Sequence, residues 1–258
     1  MIKCERLTKL YDGVMAVDAV SFEVRPGEVL GFLGPNGAGK TTTMRMLAGF
    51  IAPSAGRASL CGHDVGAAPL AAKSCLGYLP EGAPCYGEMT VRSFLDFIAD
   101  LRGLRAEHRR DRLRYVFEHL HLDSVREQSI DTLSKGFRRR VGLAQAILHD
   151  PAVLILDEPT DGLDPNQKHE VRGLINAISR DKIIVISTHI LEEVEAVCTR
   201  AIIIAQGRIV ADSTPAELAA RATLDGSMSR KLEDVFRTLT APGAAPVQRA
   251  AADAPQRS

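Results

Sequence analysis

Gly34-Pro35-Asn36-Gly37-Ala38-Gly39-Lys40-Thr41-Thr42 follows the pattern glycine, four residues, then Gly-Lys-Thr. Glycines let the backbone curl until successive N–H groups face one point, and a helix start behind them adds positive dipole. Such a run is built to cradle phosphates. The Lys40 ammonium would reach the β- and γ-phosphates, and the Thr41 hydroxyl would ligate Mg²⁺. About 120 residues later, Val153-Leu154-Ile155-Leu156-Asp157-Glu158 is an apolar run ending in two carboxylates. Asp157, at a strand end, can hold Mg²⁺ through water. Glu158 falls one residue later, on the opposite side, where it could polarise an attacking water. The two segments together predict a nucleoside-triphosphate site that uses Mg²⁺.

Two shorter stretches have plain structural readings when taken alone. Leu133-Ser134-Lys135-Gly136-Phe137 runs straight into Arg138-Arg139-Arg140-Val141-Gly142-Leu143-Ala144, with Ser134 as a helix N-cap. Ser187-Thr188-His189 closes an apolar run, and a single histidine at a strand end is most often structural.

These residues need a scaffold, and hydrophobic periodicity supplies it. Val20–Val24 alternates apolar and polar residues and ends at the turn Arg25-Pro26-Gly27-Glu28. Val29–Leu33 reads as a buried strand, and Thr41–Ala48 as a helix stopped by Gly49. Further strands are expected at Arg57–Cys61 and Leu76–Leu79. Between about 82 and 150 the pattern becomes helical: Thr90 is a plausible N-cap, and Val91, Phe94, Leu95, Ile98 and Leu101 recur at helical spacing, as do Leu113, Val116, Phe117 and Leu120. The arginine run Arg102, Arg105, Arg109, Arg110, Arg112 and Arg114 reads as a solvated helix face in preference to a docking surface. Strands return at Val153–Leu156 and Lys182–Ser187, with a helix near Lys168–Ser179 between them, and a hairpin pairs Ala201–Ala205 with Arg208–Ala211 through Gln206-Gly207. Thr214-Pro215-Ala216-Glu217 is a capping box that opens a short helix. Buried strands separated by helices predict an α/β fold with a mainly parallel sheet covered on both faces, interrupted by a helical insertion. Residues 241–258 lack apolar periodicity and are expected to be disordered.

Composition narrows the function classes. With 258 residues, 45% of them hydrophobic, the chain has ample material for a core. The 32 Lys and Arg balance 32 Asp and Glu, which removes the electrostatic reason to expect nucleic acid as a partner. No apolar run approaches the length of a membrane span, and the start, Met1-Ile2-Lys3-Cys4-Glu5-Arg6, is charged where a signal peptide would be apolar. Five scattered cysteines without a CxxC pair fit neither a disulfide framework nor a zinc site, and are at home in a reducing cytosol.

The order and spacing of these motifs resemble the nucleotide-binding subunit of ABC transporters over roughly residues 1–240. The resemblance implies the fold of those ATPases: a P-loop sheet core, an N-terminal antiparallel β-subdomain and a helical insertion. It also implies roles. Tyr11 matches the aromatic that stacks on adenine, Gly34–Thr42 the Walker A loop, and Leu133–Phe137, with Ser134 and Gly136, the signature loop. Asp157 and Glu158 match the Walker B aspartate and catalytic glutamate, Gly162-Leu163-Asp164 the D-loop, and His189 the switch histidine. Gly77-Tyr78-Leu79-Pro80-Glu81 and Leu232-Glu233-Asp234-Val235-Phe236 are similar to the exporter-associated branch, which includes drug, lipid, gliding-motility and nitrous-oxide-reductase-maturation subunits. Glu81 replaces the usual Q-loop glutamine, and would place a carboxylate beside Mg²⁺ and triphosphate. Lys135 replaces a signature glycine, adding either a cation near phosphate or a solvated side chain on the loop rim; Phe137 replaces a glutamine. The resemblance further implies two ATP molecules clamped between two such subunits and a separate integral membrane permease. It places the chain at the cytoplasmic face of the inner membrane. Two other readings compete with it: a soluble ATPase of the same family working on ribosomes or DNA, and a small-molecule kinase, which would leave the signature, D-loop and His189 without a task.

Overall fold

The computed structural model describes residues 1–82, 84–222 and Phe236. The tail 241–258 and the segment Leu232–Val235 lie outside the described residues.

Two sheets organise the chain. β1 (Ile2–Tyr11) and β2 (Val14–Val24) form a hairpin, and β4 (Ala55–Leu60) and β5 (His63–Asp64) extend it into an antiparallel sheet in the order β2-β1-β4-β5. The second sheet takes the order β10-β9-β3-β8-β7-β6, from β3 (Val29–Leu33), β6 (Leu76–Leu79), β7 (Val153–Asp157), β8 (Ile183–Thr188), β9 (Arg200–Ala205) and β10 (Arg208–Ser213). Only β10 runs antiparallel within it, turning back on β9 through Gln206 and Gly207, both at positive φ.

The central strands read as unbroken apolar runs because both faces are covered. Along β7, Val153 and Ile155 point into a core shared with the antiparallel sheet and α1 (Lys40–Leu47), while Leu154 and Leu156 point into the core on the other face. β8 splits in the same way, Ile183 and Val185 against Ile184 and Ile186. That second core is shared with α3 (Val91–Leu101), α4 (Ala106–His119), α5 (Lys135–Ile147) and α6 (Pro165–Ile178), so the helical segment and the sheet bury one continuous apolar cluster.

The helix ends follow the local chemistry. Thr90 accepts the Ser93 N–H at 3.1 Å, Ser134 accepts that of Phe137 at 3.3 Å, and Asp164 that of Gln167 at 2.9 Å. The box at α8 (Pro215–Ala222) is reciprocal: Glu217 N–H donates to the Thr214 hydroxyl and Thr214 N–H to the Glu217 carboxylate. Two helices escape the periodicity reading, α2 (Pro69–Ser74) and α7 (Leu191–Val197), each too short to declare a pattern.

The arginine run is solvated in part: Arg105, Arg110 and Arg114 are exposed, whereas Arg102, Arg109 and Arg112 are half-buried. Arg102 donates to the carbonyls of Lys73 and Leu76, Arg112 to those of Ile147 and Leu148, and Arg109 pairs with Asp96 and Asp100. Long guanidinium stems cover apolar surface while their heads satisfy carbonyls that the ends of neighbouring elements leave open.

Candidate functional site

β3 ends at Leu33, and the chain between it and α1 curls back on itself. Gly39 sits at φ 106° as the N-cap of α1, and a side chain there would meet the Ala16 carbonyl at 2.6 Å; one at Gly34 would meet that of Ile204 at 2.5 Å. Glycine is therefore required at both positions by close backbone approach. The first-turn N–H groups of α1 have no partner within the helix, and they open onto the concave side of the loop. Lys40 spans that concavity, donating to the carbonyls of Gly34 at 2.8 Å and Pro35 at 3.2 Å.

Asp157 and Glu158 end β7 beside α1. Asp157 is fully buried; its Oδ1 accepts from the Ser187 hydroxyl and lies 3.5 Å from that of Thr41, while its Oδ2 has no hydrogen-bond partner among the described residues. An orphaned carboxylate oxygen next to a threonine hydroxyl is a hard-oxygen donor set, and it fits a small divalent cation. Glu158 breaks the strand at φ 52° and turns its carboxylate the other way. There it faces Lys40 Nζ at 4.0 Å and accepts from His189 Nδ1 at 3.0 Å. Burial pushes the Glu158 carboxyl above its ordinary range, opposed by the His189 hydrogen bond and the Lys40 charge. Burial likewise lowers Lys40, against the pull of Glu158, Asp157 and Glu81. A cavity of about 270 Å³ gathers Ala16, Asn36, Gly37, Gly39, Lys40, Thr41, Thr42, Glu81 and Glu158. The glycine-rich loop, the Glu158 carboxylate and the Glu81 segment thus face one space.

The sequence profile of the ABC transporter family matches residues 17–161 of the chain. The Nod factor export ATP-binding protein I of Burkholderia pseudomallei (strain 1710b) is 41% identical over 215 residues, covering 83% of this chain and 71% of the relative. The chain belongs to the ABC transporter family. The probable multidrug ABC transporter ATP-binding protein YbhF of Escherichia coli (strain K12) is 34% identical over 237 residues, covering 92% of this chain and 41% of that longer protein. A solved ATP-binding subunit of an ABC transporter superimposes with a TM-score of 0.85 at 28% identity, covering 93% of this chain and all of the other. A bacterial ABC transporter cassette solved as a dimer shares the fold at a TM-score of 0.77 and 20% identity, over 83% of this chain and 99% of the other. The molecule is an ATP-binding subunit of that family, with the α/β fold of the ABC ATPases.

In this ABC ATPase several expected site residues stand apart from the cavity. Tyr11 is at the tip of the β1–β2 hairpin, exposed, with Lys9 Nζ 5.0 Å from its ring centre. Ser134 and Gly136 open α5 beside α6, where a side chain at 136 would meet Gln167 Oε1 at 2.6 Å. Lys135 is solvated on the rim of its loop, its side chain 64% exposed, and from there it donates to Asp161 at 2.9 Å and lies against Gly162, tying the Ser134 loop to the turn before α6. Asp164, the D-loop carboxylate, caps α6.

Sequence reasoning missed the supports. Ser187 holds Asp157, and Glu193, 5% exposed on α7, accepts from Thr160 and from Thr188, with Lys168 at 3.8 Å. Thr160 follows Glu158 by two residues and Thr188 precedes His189, so one buried carboxylate braces both. A glutamate four residues after His189, flanked by Val194 and Val197, is the signal that could have found it.

Proposed function

We propose that this cassette binds Mg·ATP between two copies of itself, or itself and a close relative, and uses hydrolysis to drive a separate integral membrane permease in export. The family acts through nucleotide-binding subunits paired with transmembrane partners, and the relatives reported above are ATP-binding proteins of exporters. No helix among the described residues is long and apolar enough to cross a membrane. By the family's division of labour the subunit attaches peripherally, at the cytoplasmic face of the inner membrane, and residues 1–240 act as one cassette whose insertion at about 82–150 meets the permease together with the Glu81 segment.

The observation that carries this reading is Glu158 turned into the cavity between Lys40 and His189. Glu158 accepts the proton of the attacking water, His189 orients that carboxylate, and Lys40 and the loop amides of Gly34–Thr42 hold the phosphates. Thr41, Asp157 and Glu81 would hold Mg²⁺, which supplies charge neutralisation of the triphosphate. Tyr11 stacks on adenine. Ser134, Gly136 and Asp164 serve the nucleotide of the opposite subunit, which accounts for their distance from the cavity of their own chain.

General-base help is worth about 10²–10⁴-fold. Glu158→Gln is expected to bind a fluorescent ATP analogue like the parent, to lose at least about 100-fold in turnover, and to form a dimer with Mg·ATP in light scattering. Turnover within a few-fold of the parent would show that the base is elsewhere, and a chain that stays monomeric would remove the clamp. Glu81 adds a second carboxylate to the same space, so the parent's ATPase should rise more steeply with Mg²⁺ than that of Glu81→Gln; superimposable titrations would refute this.

A further inference from the structure

Arg139 lies one turn into α5 and is 5% exposed, in the middle of an arginine triplet that reads in the sequence only as charge. Among the described residues its guanidinium makes no carboxylate pair. It donates from Nη1 to the Pro80 carbonyl at 3.0 Å, from Nε to that of Pro159 at 3.4 Å, and from Nη2 to those of Asp157 and Glu158. A buried guanidinium is costly unless its donors are satisfied, and here the acceptors are main-chain carbonyls at both edges of the site.

The placement has a consequence for Glu158. That residue occupies the left-handed region at φ 52°, which a side chain with a Cβ holds only where the surroundings over-determine it. Its N–H donates to the Ser187 carbonyl at 3.0 Å, and its own carbonyl is held by Arg139. The same planar fork grips Pro80, the residue before Glu81. A guanidinium is rigid, so its four bonds fix the spacing between the peptide that leads to Glu81 and the peptides that carry Asp157 and Glu158. The far end of the side chain is anchored in α5, whose first turn begins at Lys135.

We infer that Arg139 is a positioning residue that aims the Glu158 carboxylate and links its aim to the Glu81 segment and to the start of α5. The inference rests on the ATPase reading of Glu158 given above. The same contacts could merely staple α5 to the sheet, and the two roles differ in what a substitution does to chemistry when Glu158 is absent.

The test uses Arg139→Lys, which keeps the charge but not the fork, and Arg139→Gln, which keeps a neutral donor. Each is made in the full chain, alone and combined with Glu158→Gln. Turnover, KM for Mg·ATP, affinity for a fluorescent ATP analogue and the melting temperature are measured. Displacement of a catalytic group by about 1 Å costs on the order of 100-fold, so each single variant should lose about 10–100-fold in kcat with ATP affinity unchanged. In the Glu158→Gln background the same change should cost less than about twofold, because the misplaced group is already gone. Losses that multiply in the double variants, ATP affinity that falls in step with kcat, or a single variant within about twofold of the parent would overturn the role. If Glu158→Gln itself leaves turnover intact, the ATPase reading fails and takes this inference with it. A parent that responds to Glu158→Gln but not to Arg139→Lys overturns the Arg139 role alone.

Discussion

At the scale of single residues, the site works by giving two adjacent carboxylates opposite environments. Asp157 lies in the strand, fully buried, one oxygen occupied by Ser187 and Thr41 and the other buried without a hydrogen-bond partner among the described residues. Glu158, one peptide later, leaves the strand through a left-handed turn and faces the cavity, 13% exposed. Desolvation raises its pKa and the hydrogen bond from His189 lowers it, so with Glu158 as the proposed base the two effects set the pH at which it is deprotonated. The sign follows directly. The carboxylate acts when deprotonated, so activity falls as pH drops through its raised pKa. Removing His189 deletes a lowering contribution and leaves burial less opposed. His189→Ala is therefore expected to shift the acid limb of kcat to higher pH, besides lowering kcat. Profiles measured between about pH 5 and pH 8 should show the displacement; a limb that stays in place or moves down would mean that His189 does not set the ionisation of Glu158.

At the scale of elements, the site depends on how closely α5 is seated on the sheet. β6 delivers Glu81 and α5 delivers Arg139 and the Ser134 loop, and the two cross at Gly77. A Cβ at Gly77 would fall 2.1 Å from the Ala146 carbonyl, 2.7 Å from Leu154 Cδ2 and 2.8 Å from Pro151 Cγ. None of these is a loose side-chain end, so the helix itself must move. Gly77→Ala is expected to cost about 1–3 kcal/mol, visible as a lower midpoint in denaturant, and to depress turnover by carrying Arg139 away from the Glu158 carbonyl. An unchanged midpoint would show that α5 gives way freely. The same element shows what the sequence could and could not convey. Ser134 announced the start of α5, and Thr90 that of α3, because a cap is a local event written in three or four residues. Val153–Asp157 announced a strand buried on both faces, because an uninterrupted apolar run has few other uses. Arg139 was silent: its partners lie 18 or more residues away on other elements, and nothing in a charged residue's neighbours says that backbone carbonyls await it. Lys135 was legible as a departure from the family, but its partner Asp161 became visible only once α5 and the loop before α6 were packed together.

At the scale of the whole molecule, the end of the sheet where β6 and β8 begin carries a concentration of cations. His149 follows α5, and its Nε2–H donates to the Leu76 carbonyl at 3.1 Å, while Nδ1 is buried without a partner among the described residues. Arg102, Arg112 and Lys182 converge on it, and Asp150 answers them, pairing with Lys182 at 2.8 Å and Arg112 at 3.7 Å. Desolvation first, and then these cations, push the imidazole pKa down to about 4. In the unfolded chain it returns to about 6.5. Above that value the group is neutral in both states and does not affect stability. Below it the unfolded chain takes up a proton that the folded chain refuses, so stability is lost progressively as pH falls from about 6.5 towards 4. The loss attributable to this one group between about pH 7 and about pH 5 is roughly 2 kcal/mol. His149→Gln keeps an amide that can reach the Leu76 carbonyl and has no proton to gain. Urea midpoints at the two pH values should therefore differ by roughly that much more in the parent than in the variant. An equal acid loss in both proteins would place the acid sensitivity elsewhere, in carboxylates such as Asp150 that the same cations hold in place.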